Sequence, residues 1–239
     1  MFLKIEKLTK SFGGLMAIND LDLSVHEGEI LGLIGPNGSG KTTLFSLITG
    51  FLKPDSGAIY FREREITGLK PHRICERGIV RTFQLVRPFT KMTALENVMV
   101  GRVYGRIPAQ SLNHAIAESR EILDSVGLGS KRDTVAGSLT LSDRKRLELA
   151  RALAGRPHLL LLDELTAGLN PVEAEAAMRL IQTIKESGVT IIMVEHNVRV
   201  VVRVSSKVVV IGFGEKIAEG TPQEVIRDKR VVEAYLGSM

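Results

Sequence analysis

Features of secreted, disulfide-rich or membrane-spanning proteins are scarce in this chain. Its 239 residues include one cysteine, Cys75, and no tryptophan. A single cysteine excludes an intramolecular disulfide and fits a reducing compartment. No apolar run reaches the roughly 18–20 residues of a transmembrane helix, since Arg199, Arg203 and Lys207 interrupt the stretch 198–210. The first residues have the pattern of a strand, not of a secretion signal.

A strong charge bias is also absent. The formal net charge is +5, charged residues make up 25% and hydrophobic residues 44%. This weakly basic balance suits a nucleotide, an anionic lipid or a nucleic acid equally well. No basic stripe interleaved with aromatic residues suggests base stacking, so we expect no nucleic-acid partner.

Apolar periodicity divides the chain into strand-like and helix-like sections. Predicted strands lie at 2–9, 21–26, 29–34, 58–61, 78–83, 159–162, 189–194, 207–211 and 216–219. Predicted helices lie at 43–48, 71–77, 94–100, 114–126, 144–153, 172–187, 222–227 and 231–235. The alternation after residue 156 predicts parallel strands covered by helices, and the mostly helical section 92–155 is interpreted as an insert. The basic cluster Arg144–Lys145–Arg146 is interpreted as a solvated face.

The most informative run present is glycine-rich and fits the pattern G-x-x-x-x-G-K-[ST]. Glycines let backbone N–H groups turn around a polyphosphate, Lys41 would place a charge on its β- and γ-phosphates, and Thr42 would offer a hydroxyl to Mg²⁺. A strand precedes the run and a helix follows it, a context that a glycine-rich turn with a chance lysine would not require. The predicted phosphate-binding residues are Gly35, Pro36, Asn37, Gly38, Ser39, Gly40, Lys41, Thr42 and Thr43.

Two acids follow another buried strand. Four leucines lead directly into Asp163 and Glu164. Adjacent acids are costly to leave unpaired in an apolar setting. We therefore predict that Asp163 holds Mg²⁺ and that Glu164 polarises the attacking water. The alternative is a plain N-cap for the next helix.

Three further side chains are candidates because of their positions. His196 lies just past the strand 189–194 and is predicted to contact the γ-phosphate, although an isolated histidine is more often structural. Gln84 ends the strand 78–83, and its amide is predicted to coordinate Mg²⁺. Phe12 is a candidate to stack on a base ring, with a core position as the alternative.

In this order the motifs resemble those of the ATP-binding subunit of an ABC transporter, over essentially the whole chain. The phosphate loop, Gln84, the acidic strand end, the run 166–170 and His196 match that family's Walker A, Q-loop, Walker B, D-loop and switch histidine. Five runs look like the branched-chain amino acid importer ATPases, with urea-import and lipopolysaccharide-export ATPases similar: 11–17, 78–84, 95–101, 217–222 and 231–237.

The resemblance implies an α/β fold with a P-loop (RecA-like) parallel-sheet core, an antiparallel β subdomain and a helical subdomain insert. The chain would be a single ATPase domain, with its core in 1–87 and 156–239 and the helical subdomain in 88–155. ATP and Mg²⁺ are the implied cofactors. The implied partners are membrane permease subunits, a second ATPase subunit in a homo- or heterodimer and, indirectly, a periplasmic or extracellular solute-binding protein. The chain would lie at the cytoplasmic face of the membrane, with the segment from about Leu85 to Glu96 contacting the permease.

One motif departs from the family pattern. The signature usually reads Leu-Ser-Gly-Gly-Gln, whereas 139–143 reads Leu-Thr-Leu-Ser-Asp. In the family this loop of one subunit closes on ATP held by the other, so Thr140 and Ser142 are expected at the nucleotide. Ser142 replaces a glycine, and its Cβ is expected to hinder close backbone approach. Asp143 places an acid where glutamine or glutamate is usual, and Leu165 replaces the proline usual after the catalytic glutamate. We expect retained ATP binding with weakened or altered closure.

The predicted function is an ATPase that energises import of branched-chain amino acids or a similar small polar solute. The altered signature keeps open an ATP-dependent dimerisation switch with weak turnover. An ATPase acting on nucleic acid or ribosomes would usually carry two ATPase units or a long coiled-coil insert, and the sequence predicts neither.

Overall fold

The computed structural model describes residues 1–84 and 86–236, which form ten strands and nine α-helices. The strands are β1 (Leu3–Phe12), β2 (Leu15–Val25), β3 (Ile30–Ile34), β4 (Ser56–Phe61), β5 (Arg64–Glu65), β6 (Ile79–Arg81), β7 (Leu159–Asp163), β8 (Thr190–Val194), β9 (Lys207–Gly212) and β10 (Glu215–Gly220). The helices are α1 (Lys41–Ile48), α2 (Pro71–Glu76), α3 (Ala94–Tyr104), α4 (Leu112–Ser125), α5 (Leu141–Ala154), α6 (Pro171–Glu186), α7 (Val198–Val204), α8 (Pro222–Val225) and α9 (Lys229–Leu236). Leu85, where the predicted permease-contact segment begins, and Gly237, the last residue of a resembling run, lie outside the described residues.

The chain divides into two compact units, the first made of residues 1–74 and of those from 184 onward. In this unit β10, β9, β3 and β8 lie side by side in that order, with β3 parallel to both β8 and β9. Every residue of β3 and β8 is buried. Burial on both faces explains why these strands are apolar without alternation.

The same unit holds an antiparallel sheet in the order β2-β1-β4-β5. The β1–β2 ladder runs from Leu3 opposite Val25 to Phe12 opposite Leu15. This ladder is longer than the predicted strands because the hairpin turns tightly at Gly13. Gly13 has a φ of +58°, which glycine adopts readily because it lacks a Cβ.

The second unit comprises residues 75–183. Its strands β6 and β7 pair in parallel, and α3, α4 and α5 pack around an apolar cluster that includes Val98, Leu123 and Leu147. Helix α3 begins with a capping box between Thr93 and Glu96, which satisfies N–H groups at its first turn. The predicted subdomain boundaries at 87/88 and 155/156 stay a prediction.

Helix α7 is the main element that the periodicity did not predict. Its valine-rich sequence favours a strand. Asn197 nevertheless caps the first turn of a helix, because its side chain accepts a hydrogen bond from the Arg199 N–H. A Cβ on Gly32 of β3 would lie 2.4 Å from Val201 Cγ1, so that glycine permits direct packing of α7 on the strand. Among the described helices none is long and apolar enough to cross a membrane.

Candidate functional site

The loop between β3 and α1 depends on its glycines. Gly35, Gly38 and Gly40 have φ values of +155°, +79° and +105°, which glycine adopts without steric cost. A Cβ would lie 2.0 Å from Ile211 O at Gly35 and 2.4 Å from Ala17 O at Gly40. Gly35 and Gly40 therefore require glycine both for conformation and for close approach of neighbouring backbone, whereas Gly38 requires it for conformation alone.

Lys41, the first residue of α1, is buried, and its side chain folds back over this loop. Its Nζ donates to Gly35 O and Pro36 O, both at 2.8 Å, and to Ser39 Oγ at 3.2 Å. Gly40, the N-cap, makes no side-chain capping bond. A lysine ammonium and uncapped helical N–H groups together form an environment that favours a bound anion.

The other predicted residues of the first unit are more exposed. Asn37 and Thr42 are exposed, and Thr43 is half-buried. Phe12 ends β1, with Lys10 Nζ 5.7 Å from its ring centroid. His196 is exposed and lies two residues past β8.

In the second unit, Asp163 ends β7 as a buried carboxylate with a buried cation beside it. Its Oδ2 accepts from Arg81 Nη2 at 2.6 Å, and its backbone N–H donates to Thr82 Oγ1 at 3.2 Å. Ion pairing of this kind compensates the desolvation of both charges. Arg81 belongs to no predicted site, and its position just before Thr82-Phe83-Gln84 is the signal that the sequence offers for it.

Glu164 is held by two side chains distant in sequence. Gln84 Nε2 donates to its Oε2 at 2.8 Å, so two separately predicted residues meet. Lys145 Nζ donates to the carbonyls of Glu164 and Leu165, each at 2.9 Å. Glu164 has φ +50°, a left-handed conformation that costs a non-glycine residue about 1 kcal/mol or more. These bonds stabilise the turn that presents the carboxylate.

The solvated face predicted for Arg144–Lys145–Arg146 is wrong at its centre. Lys145 is only 5% exposed. Its ammonium is accommodated because backbone carbonyls replace the lost water. A basic cluster on an amphipathic helix gave no signal that one member points inward.

Thr140 and Asp143 bond to each other at the start of α5. Thr140, the N-cap, accepts from the Asp143 N–H at 3.2 Å, and its hydroxyl donates to Asp143 Oδ2 at 2.8 Å. Lys131 Nζ donates to the same oxygen at 2.6 Å. Burial on its own raises the pKa of the Asp143 carboxyl, but the bonds from Lys131 and Thr140 outweigh burial and lower it. Asp143 is therefore a carboxylate at neutral pH.

Two other departures from the family pattern, Ser142 and Leu165, line one groove. The groove has a volume of about 270 Å³, lies within the second unit and is also lined by Leu149 and Leu169. Leu165 is buried, so its side chain fills apolar space there.

The predicted residues thus form three groups. The phosphate loop, Phe12 and His196 belong to the first unit. The pair Gln84 and Glu164, Asp163 next to Glu164 in sequence, and the start of α5 belong to the second. Within the described residues no group of three or more His, Cys, Asp or Glu side chains could hold a metal ion.

Comparison with known proteins identifies the family. Residues 18–167 match the family model "ABC transporter", and residues 215–239 match "Branched-chain amino acid ATP-binding cassette transporter". The high-affinity branched-chain amino acid transport ATP-binding protein BraF of Pseudomonas aeruginosa is 39% identical over 248 residues, covering 98% of this chain and 97% of that protein.

Solved structures agree with the predicted fold class. The ADP conformation of MJ1267, an ATP-binding cassette of an ABC transporter, superimposes with a TM-score of 0.89 at 34% identity, over 99% of both chains. Dimeric MJ0796 in a post-hydrolysis state with ADP and Pi superimposes with a TM-score of 0.84 at 26% identity, covering 92% of this chain and 99% of that one. The chain therefore belongs to the ABC transporter family, as an ATP-binding and ATP-hydrolysing cassette of the branched-chain amino acid group.

Proposed function

We propose that this chain hydrolyses ATP with Mg²⁺ to energise import of branched-chain amino acids or a similar small polar solute. The observation that carries the substrate class is the full-length similarity to BraF. The phosphate loop, with Lys41 folded over it, supports the nucleotide part of the proposal.

Each residue has a distinct role in this proposal. The loop N–H groups and Lys41 bind the β- and γ-phosphates, and Phe12 stacks on the base. Glu164 accepts a proton from the attacking water, and His196 stabilises the arrangement at the γ-phosphate. Positioning and electrostatics carry the catalysis, as is general for phosphoryl transfer.

The donor atoms suit Mg²⁺. Thr42 offers a hydroxyl, Asp163 a carboxylate and Gln84 an amide oxygen, and Mg²⁺ prefers oxygen ligands. Gln84 donates to Glu164 through its nitrogen, which leaves its carbonyl oxygen for a cation. When bound, the ion neutralises charge on the phosphates. Arg81 bonds one Asp163 oxygen, and Asp163 would act through the water shell of the ion.

The proposal includes partners. Two cassettes, identical or related, pair around ATP, as dimeric MJ0796 supports for the family. Import across a membrane requires a permease, placing the chain at the cytoplasmic face, with a solute-binding protein as indirect partner. In the predicted contact segment, Phe89 is 47% exposed, which suits an apolar contact with another protein.

A dimerisation switch with weak turnover is the second candidate, favoured by the bond from the Thr140 hydroxyl to Asp143. ATP turnover in the assembled complex separates the two functions. A panel of leucine, urea and lipopolysaccharide substrates separates the branched-chain assignment from related transporters.

Lys41→Ala and Glu164→Gln test the proposal in the assembled transporter. We expect Lys41→Ala to abolish Mg·ATP binding, because the phosphates lose their positive charge. Glu164→Gln should retain binding and lower kcat by about 10²–10⁴-fold, the contribution typical of general base catalysis. Binding is measured by calorimetry, turnover by phosphate release and transport by leucine uptake into vesicles.

Lys185→Ala and Glu186→Gln are matched controls, since both side chains are exposed at the end of α6. Both should behave as wild type. Unchanged Mg·ATP affinity in Lys41→Ala would disprove the nucleotide assignment, and uptake of none of the branched-chain amino acids would disprove the substrate class.

A further inference from the structure

The start of α5 already contains an anion. The Asp143 side chain, in the first turn, is 10% exposed, and its Oδ2 lies 2.8 Å from Thr140 Oγ1 and 2.6 Å from Lys131 Nζ. A carboxylate in the first turn is stabilised by the helix dipole. The acid therefore uses the same electrostatics that would attract a phosphate to this helix end.

The Thr140 hydroxyl is committed to this acid. A hydroxyl has one proton to donate, and that proton lies in the bond to Asp143 Oδ2, while the hydroxyl oxygen accepts from the Asp143 N–H. Thr140 cannot donate to a phosphate until its hydrogen bond to Asp143 breaks. Lys131, whose side chain is 45% exposed, partly neutralises the acid and holds it in place.

We propose that Asp143, held by Lys131, is a positioning residue that restrains closure of this signature helix on the nucleotide of the companion cassette. It acts through Thr140, by engaging the hydroxyl proton, and through space, by placing a negative charge where phosphate charge arrives. The inference rests on the proposed function, because it requires that two cassettes pair around ATP.

If Asp143 restrains closure, substitutions of Asp143 and of Lys131 should have opposite effects on closure. Asp143→Asn removes the charge and keeps the shape, so closure becomes easier. Lys131→Met leaves the carboxylate less neutralised, so closure becomes harder. A bridge with a merely structural role would lower activity in both variants, because either change breaks the same ion pair.

The test is the ATPase kcat/KM of the assembled transporter. We expect Asp143→Asn to raise kcat/KM about 10-fold, the scale of one hydrogen bond to a charged group, and Lys131→Met to lower it. The double variant should match Asp143→Asn, because Lys131 acts only through the acid.

An unchanged or lower kcat/KM in Asp143→Asn overturns the inference. The inference is also overturned if Lys131→Met lowers kcat/KM by the same factor in the wild-type chain and in the Asp143→Asn chain. Mg·ATP affinity of the isolated chain is measured in parallel and should be equal in all variants. Absence of that affinity would overturn the proposed function itself, whereas intact affinity with an unchanged kcat/KM would overturn only the role of Asp143. Lys70→Met, at an exposed lysine outside α5 and outside every proposed site, serves as control for Lys131→Met.

Discussion

At the scale of single residues, the buried charges of the second unit are compensated by different groups. Asp163 meets a guanidinium, Lys145 meets two carbonyls, and Glu148 accepts the Phe83 N–H at 3.0 Å. Desolvation is the largest cause that raises the pKa of the Glu148 carboxyl above its ordinary range, with the Phe83 bond opposing it. Glu148 therefore stabilises the fold less when charged than when neutral.

Glu148→Gln should change how stability depends on pH. A raised pKa in the folded state means that the contribution of Glu148 is complete below its unfolded pKa and is lost as pH rises through the folded value. Glutamine keeps the oxygen that accepts from Phe83 and does not ionise. We expect Glu148→Gln to change the free energy of unfolding more favourably at pH 8 than at pH 4. Urea denaturation at both pH values measures this difference. Glu121→Gln, exposed on α4, is the matched control, and an equal trend in both variants would refute the assignment.

The motif residues were predictable at this scale, and their partners were not. Lys41, Glu164 and Gln84 lie in short sequence motifs, so their roles can be predicted from neighbouring residues. Arg81 and Asp163 are separated by 82 positions, and Lys145 and Glu164 by 19. Such pairs form because a buried charge must find a partner somewhere in the fold, and one sequence does not say which.

At the scale of elements, α3 carries an asparagine that organises the loop before it. Asn97 is fully buried, and its amide donates to the carbonyls of Phe89, Met92 and Thr93 while its Oδ1 accepts the Phe89 N–H. One side chain thus satisfies backbone groups of a loop with no ladder of its own. This loop belongs to the segment that we propose as the permease contact.

Asn97→Leu should destabilise this element strongly. Leucine has a similar size but cannot accept the Phe89 N–H or donate to the three carbonyls, and we expect a loss of about 1–3 kcal/mol in the free energy of unfolding. The measurement is urea denaturation of the whole chain. Asn113→Leu on the exposed face of α4 should change stability by less than about 0.5 kcal/mol. Similar losses in both variants would contradict an organising role for Asn97.

Most elements were predictable because their periodicity is local. Strands β3, β7 and β8 read as unbroken apolar runs, and α4 and α6 as amphipathic helices. Helix ends differed by a few residues, since caps such as Thr140 decide them. Helix α7 was missed because its valines suit a strand, and packing of Val201 on Gly32 overrides that preference.

At the scale of the whole molecule, nucleotide binding should be visible as stability. A ligand that binds only the folded state stabilises by mass action. At 100 times the Kd, Mg·ATP should add about 2.7 kcal/mol to the free energy of unfolding. Lys41→Ala should lose this increment and Lys185→Ala should keep it.

Removal of Mg²⁺ tests the proposed metal ligands in the same measurement of unfolding free energy. With EDTA in place of Mg²⁺, the increment from ATP should fall, because the charge on the phosphates is no longer neutralised by a metal ion. An increment that is equal with and without Mg²⁺ would argue against a metal role for Thr42, Gln84 and Asp163.

The sequence alone determined the chemistry and class of this protein: a glycine-rich loop before Lys41, acids after a leucine strand, and an α/β alternation, all encoded by neighbouring residues. The tertiary structure decided which distant side chains complete that chemistry. Lys145 turned inward to the Glu164 backbone, and Lys131 joined Thr140 at Asp143. Burial makes an uncompensated charge costly, and only the folded chain determines which partner is within reach.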